Sequence, residues 1–268
     1  MISKPTYIDF HTHAFPDALA ERAMEHLTHK GNITAFHQGT VSALLESMDK
    51  AGIEKSVICS IATRPSQFDP IFKWSKTVVS DRIIPFPSFH PDDPNYADCI
   101  KKIKDAGFKG IKFHPYYQDF DLDNEKMFPI YEQIVESNLL ILSHTGFDFA
   151  FPFIKKADPQ KVLKILARFP TLKLVTSHLG AWKDWEDVEK LLAGKPIYME
   201  ISFALDFLDK ETTKRIIQKH PKEYILFGTD SPWTDQLQTL NLLKSLELGR
   251  DYEQRIFRDN AAALLNSV

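Results

Sequence analysis

A chain of 268 residues, 43% hydrophobic and 26% charged, has the make-up of a globular protein large enough for two small domains or one α/β barrel. Its net charge of -3 gives no electrostatic reason to expect nucleic acid or anionic lipid as a partner, which leaves a small molecule. Two cysteines, Cys59 and Cys99, cannot build a disulfide framework or a Cys-based zinc site, and no apolar stretch reaches transmembrane length.

Strand-like apolar runs are predicted at residues 7–11, 56–61, 83–87, 110–114, 139–144, 172–178, 197–202 and 224–228. After the first run comes an insert, about residues 14–40, with a helical piece around 18–28. Helical patterns follow at 41–48, 127–135, 162–166 and 212–219, and again at 235–246 and from 252 to the end. Alternation of this kind argues for parallel strands joined by crossover helices, and eight strands are the number for a closed (β/α)8 TIM barrel. A doubly wound sheet usually carries a glycine-rich turn after its first strand; here that turn is His11-Thr12-His13-Ala14-Phe15-Pro16, without glycine. One domain is expected, with the insert lying over the barrel mouth. Cys59 and Cys99 read as small core residues, and Asn260, before an Ala-Ala-Ala-Leu-Leu run, reads as a helix N-cap. No charged-then-apolar leader pattern is seen, since Asp9 and His11 interrupt the first apolar run, so a cytoplasmic location is expected.

A barrel of this type collects its active site at the C-terminal ends of its strands. The first run ends in His11 and His13, which with Asp9 are expected to share one face. The fourth ends Lys112-Phe113-His114, the fifth in His144, the sixth in His178 and the eighth in Asp230. Five of the ten histidines thus fall on one predicted rim, a convergence that points to a divalent metal site. Taken singly, each residue has a plainer reading. His11 with His13 fits a satisfied polar pair, His178 a loop histidine, and Asp230 before Ser231-Pro232 a helix cap.

Together the motifs Ile8-Asp9-Phe10-His11-Thr12-His13, residues 107–115, Ser177-His178-Leu179-Gly180 and Phe227-Gly228-Thr229-Asp230-Ser231-Pro232 resemble the amidohydrolase superfamily. They resemble its amidohydrolase-related branch most, which includes aminocarboxymuconate semialdehyde decarboxylase and many small hydrolases. The resemblance implies a single divalent ion held by His11, His13, His144 and Asp230, with His178 as base or orienting residue. Imidazoles with one carboxylate suit zinc, with manganese, iron, cobalt or nickel as substitutes. Asp230 is then expected to take a proton from the activated water and pass it on, assisted by His178.

The activity expected first is hydrolysis of a small, carboxylate-bearing amide, lactone or ester. The alternative is non-oxidative decarboxylation of a small unsaturated or aromatic acid, and a third reading is a metal-binding protein without turnover. Lys112 and His114 alternate around Phe113 and share a face. Lys112 reads as a fixed charge for a substrate carboxylate, with His114 as a nearby donor. It equally fits a structural partner of a buried acid such as Asp9; the carbamylated bridge found in some two-metal relatives is the lesser alternative. Phe147, in a loop of alternating phenylalanines, Trp182 and Trp233 are candidate pocket walls, and Arg64 is the candidate for an anionic substrate group; ordinary packing or surface roles remain open for each. Barrels of this family often pair, so a homodimer is left open.

Overall fold

Each apolar run becomes a short parallel strand, largely buried on both faces as a barrel wall requires. The computed structural model describes residues 7–268. Its strands are β1 (Tyr7–Thr12), β2 (Ile53–Cys59), β3 (Ile83–Phe86), β4 (Gly110–Phe113), β5 (Leu140–Ser143), β6 (Leu174–Thr176), β7 (Tyr198–Glu200) and β8 (Ile225–Leu226). Parallel pairing runs β1-β2-β3 and β4-β5-β6-β7-β8. Backbone bonds join the two sheets at both seams. Lys112 N–H donates to the Pro87 carbonyl at 3.0 Å. Across the other seam, Phe10 N–H donates to Phe227, and Asp230 N–H to His11, at 2.8 and 2.7 Å. The fold is the expected TIM barrel.

The helices that precede the strands include α1 (Asp17–Gly31), α2 (Val41–Ala51), α3 (Phe68–Val78), α4 (Tyr96–Asp105), α5 (Phe128–Glu136) and α6 (Pro159–Arg168). Local chemistry explains their limits. The Thr40 hydroxyl accepts the Ala43 N–H at the start of α2, and Gly52 ends it in the left-handed conformation (φ +74°). Asp158 caps α6 by accepting from Gln160 and Lys161.

The face assignment of β1 differs from simple alternation. Ile8 and Phe10 belong to the inner cluster with Phe86, Leu142, Val175 and Leu226. Asp9 turns instead to the β8 side, where it accepts from Thr229 N–H, Thr229 Oγ1 and Gln236 Nε2 at 3.0, 2.6 and 2.8 Å. The β1–β2 register shifts between Asp9 and Thr12, so His11 and His13 reach the mouth although Asp9 does not share their face. Asp9 is a structural clamp, and it is not the partner of Lys112.

The C-terminal helix Asn260–Asn266 packs Ala261, Leu264 and Leu265 against the inner cluster. Its end is tied to the N-terminal edge of the strands: the Val268 and Ser267 carbonyls accept from Lys109 and Lys173. Asn260 is not an N-cap. It lies in continuous helical backbone, and its amide donates to the Lys222 and Ile225 carbonyls, tying the helix to β8. Cys59 and Cys99 are buried free thiols. Among the described residues, no helix is long and apolar enough to cross a membrane.

Candidate active site

His11, His13 and Asp230 bring three donor atoms within 4.8 Å of one another at the barrel mouth. His13 Nδ1 lies 2.8 Å from the Cys59 carbonyl and His11 Nδ1 2.9 Å from Glu200 Oε1. Both partners are acceptors, so both rings carry their proton on Nδ1. The free Nε2 lone pairs then face Asp230 Oδ1, at 3.3 Å from His11 and 2.9 Å from His13. Among the described residues that oxygen accepts no hydrogen bond, although it is buried. Three electron-pair donors around one point, two of them oriented from behind, fit a divalent cation.

Electrostatics agree with that fit. Burial, reinforced by Lys112, holds the His11 imidazole well below the usual histidine range, so it stays neutral as a ligand must. Asp230 and His178 both adopt left-handed backbone, φ +62° and +59°, a strained conformation for residues with side chains that is common where a site fixes them.

Lys112 is fully buried, and its Nζ donates to His11 Nε2 at 2.8 Å. Burial lowers its pKa, opposed by the surrounding acids Asp230 and Glu200 and the Cys59 thiol. The Lys112 amino group sits against the candidate ligands, at the floor of the mouth.

His144 does not join the trio. Its Nε2 donates to the Phe147 carbonyl at 2.9 Å, which leaves the Nδ1 lone pair facing His178 Nε2 at 3.1 Å. His144 instead forms a second group with His114 and Asp148. The His114 and His144 rings stack at 4.2 Å, and His114 Nε2 is 3.4 Å from Asp148 Oδ2. His178 Nδ1 rests against Ser202, 3.0 Å from Oγ and 3.1 Å from the carbonyl. Since His144 has its proton on Nε2, His178 donates from its own Nε2.

Above this floor lies a cavity of about 640 Å³. Phe147, Trp182 and Trp233 line it, as do Lys112, His114 and His178. Residues of α1 form one wall, which puts the helix of the insert beside the mouth. Arg64 does not line the cavity. Thr63 and Gln67 do, and Gln67 Oε1 accepts from both Thr63 and the Arg64 backbone, so the Arg64 side chain is left exposed.

Two residues outside the sequence expectations belong to the site. Glu200, at the end of β7 and fully buried, also accepts from His178 N–H and from Ser202 N–H and Oγ. Burial pushes its carboxyl up, while the His178 imidazole and the Ser202 donors pull it down. Asp148 lies buried inside the phenylalanine loop. Reading what each strand ends in would have found Glu200; for Asp148 the loop offered no spacing signal.

The amidohydrolase family model matches residues 8–266. No curated protein matches the chain. Among solved structures, an uncharacterised TIM-barrel protein, Bb4693 from Bordetella bronchiseptica, is 20% identical with a TM-score of 0.81, over 98% of this chain and 99% of that one. A 5-carboxyvanillate decarboxylase from Novosphingobium aromaticivorans, complexed with manganese and a nitrobenzoic acid, is 14% identical with a TM-score of 0.71, over 97% and 96%. A 2,6-dihydroxybenzoate decarboxylase from Rhizobium is 14% identical with a TM-score of 0.70, over 98% and 99%. Identities this low establish a shared fold.

Proposed function

This chain belongs to the amidohydrolase family, and we propose that it is a metal-dependent, non-oxidative decarboxylase of an unsaturated or aromatic carboxylic acid. One observation carries this reading: the cavity has an aromatic wall and a floor of imidazoles with the Lys112 amino group and the carboxylates of Asp148 and Asp230. Such a space suits a flat acid held by its carboxylate end. Two of the three solved relatives above are decarboxylases, which favours this reading over the hydrolysis expected first.

The divalent ion would be held by His11, His13 and Asp230, with His144 as a fourth ligand once its Nδ1 exchanges His178 for the ion. Zinc or manganese suits this set, the latter because a relative binds it. When bound, the ion supplies a Lewis acid that anchors the oxygens of the acid. The ammonium of Lys112 adds a second positive charge beneath the carboxylate. Breaking the C–C bond releases neutral carbon dioxide and leaves its electron pair on the ring or vinyl carbon. That carbon must gain a proton, and His178, with its N–H on Nε2, is the residue placed to deliver it. The apolar walls exclude water and disfavour the charged ground state.

Hydrolysis keeps one observation in its favour: the buried, unpaired Asp230 Oδ1 is placed to accept a proton from water. The experiment that separates them incubates metal-loaded protein with a panel of hydroxybenzoic acids, lactones and amides, trapping carbon dioxide and identifying products by NMR. Stoichiometric carbon dioxide with loss of the carboxyl carbon is expected. Products that keep the carboxylate and gain water would sink the proposal. His178→Asn should slow carbon dioxide release by about 10²- to 10⁴-fold at unchanged metal content.

A further inference from the structure

The cavity is larger and less polar than a one-ring acid requires. Its volume of about 640 Å³ corresponds to roughly twenty waters at liquid density, whereas a dihydroxybenzoic acid has only about eleven non-hydrogen atoms. Most of the polar groups lie at the floor. Leu19, Ala23 and Leu27 of α1 line the cavity with Phe149, and Phe203 lines it nearer the floor, 6.1 Å from the His178 ring. Lys30, also from α1, rests its ammonium on the rings of Tyr117 and Phe151, at 4.6 and 4.1 Å.

At the rim, large apolar side chains stand beside the polar His26, Lys30 and Thr63. Leu19 and Phe149 line the cavity yet remain 56% and 41% exposed. Phe149 packs edge-on to Trp182 at 5.3 Å and meets Phe203 at 5.9 Å, so an ordered aromatic surface continues from the floor to the opening. Gly31, near the end of α1, is also fitted to this surface, since a Cβ there would press on the Phe149 ring. Large apolar side chains kept at the edge of a deep pocket are what a ligand with an apolar body would cover.

From this we infer that the substrate is an amphiphilic acid whose apolar body exceeds one ring. Its carboxylate lies at the His11–His13–Asp230 floor, and a fused second ring or an alkyl chain runs along α1 toward Leu19 and Phe149. The fate of the carboxylate rests on the decarboxylase reading, but the shape of the ligand does not.

Equilibrium binding to the metal-loaded protein tests this, read by tryptophan emission because Trp74, Trp182 and Trp233 line the cavity. The probes are salicylate, 1-hydroxy-2-naphthoate and 4-hexylsalicylate. Affinity should rise from the first to the other two. The hexyl acid should gain at least about thirtyfold, since each buried methylene is worth roughly fourfold. Ala23→Trp, which fills the α1 side, should abolish that gain and leave salicylate binding in place. Leu27→Ala, a milder change that keeps the helix, should weaken the hexyl acid several-fold and salicylate little. Equal affinity for all three probes, or equal weakening of all three in both variants, overturns the inference. Carbon dioxide from salicylate without any gain in affinity for the longer acids defeats the inference alone. A gain in affinity without carbon dioxide from any probe defeats only the decarboxylase reading.

Discussion

Glu200 Oε1 lies 2.9 Å from His11 Nδ1 and also accepts the backbone N–H of His178, so one buried carboxylate orients a candidate ligand and the candidate proton donor. Such partners fix the tautomer of a ligating histidine and raise its basicity. Glu200→Gln turns one acceptor oxygen into a donor facing N–H groups. Metal affinity should fall about 10- to 100-fold, as measured by competition with a chelator. Gly228→Ala should act in the same direction, because a Cβ at 228 would collide with the Glu200 carboxylate. If Glu200→Gln holds its metal as tightly as the parent, Glu200 does not set the His11 tautomer.

Lys112 leads to a second prediction. Its ammonium occupies the Nε2 lone pair of His11, which a metal ion needs. Two unit charges about 4 Å apart repel by about 4 kcal/mol at an effective dielectric of about 20, and part of this is relieved when the side chain moves. Lys112→Met should therefore bind divalent metal about tenfold or more tightly, while its KM for the acid rises. Calorimetric titration of the metal-free protein reads the first effect and steady-state kinetics the second. Weaker metal binding in Lys112→Met would show that the lysine supports the ion instead of competing with it.

How much of this was legible in the sequence depended on backbone regularity. The eight strands were readable because each is a short apolar run buried by helices, and the rim histidines because strand ends share one edge. Asp9 was placed on the wrong face because alternation assumes an unbroken strand, and the register shift before Thr12 breaks it. His144, expected as a ligand with His11, stands apart from the trio because its ring is held by Phe147 and His178, and strand position alone does not fix side-chain rotation. Arg64 was misplaced because one residue decides which side of a loop faces the cavity, and Gln67 fixes it for Thr63. Glu200 escaped notice as a polar end to an apolar run, although a buried carboxylate is rare enough to be a signal.

The clamp at Asp9 leads to a third prediction, about stability. Its carboxylate gathers Thr229 N–H, Thr229 Oγ1, Gln236 Nε2 and His11 N–H, all donors, at the seam where β1 meets β8. Asp9→Asn points an amide N–H₂ at some of these donors and leaves buried groups unpaired, a loss of about 2–3 kcal/mol. For a chain of this size that corresponds to a fall in Tm of about 5–10 °C. An unchanged Tm would mean that the seam is held by the backbone bonds alone.

His220, at the C-terminal end of the helix Lys210–Lys219, gives the clearest pH dependence. It is buried, its Nε2 donates to the Ile197 carbonyl at 2.8 Å, and among the described residues its Nδ1 has no partner. Burial lowers its pKa, because a second proton would place an unpaired charge in the interior. A base held below its unfolded value takes up its proton first in the unfolded chain. Stability from His220 is therefore complete above about pH 6.5 and is lost as pH falls below that, at up to about 1.4 kcal/mol per pH unit. Burial lowers His114 and His144 in the same way, so the parent protein carries a composite slope. His220→Gln retains an N–H for the Ile197 carbonyl but removes one titrating group. Denaturant unfolding at pH 7.5 and pH 5 should show the variant losing less stability on acidification than the parent. Parallel losses would mean that the folded protein accommodates the His220 proton as readily as the unfolded chain does.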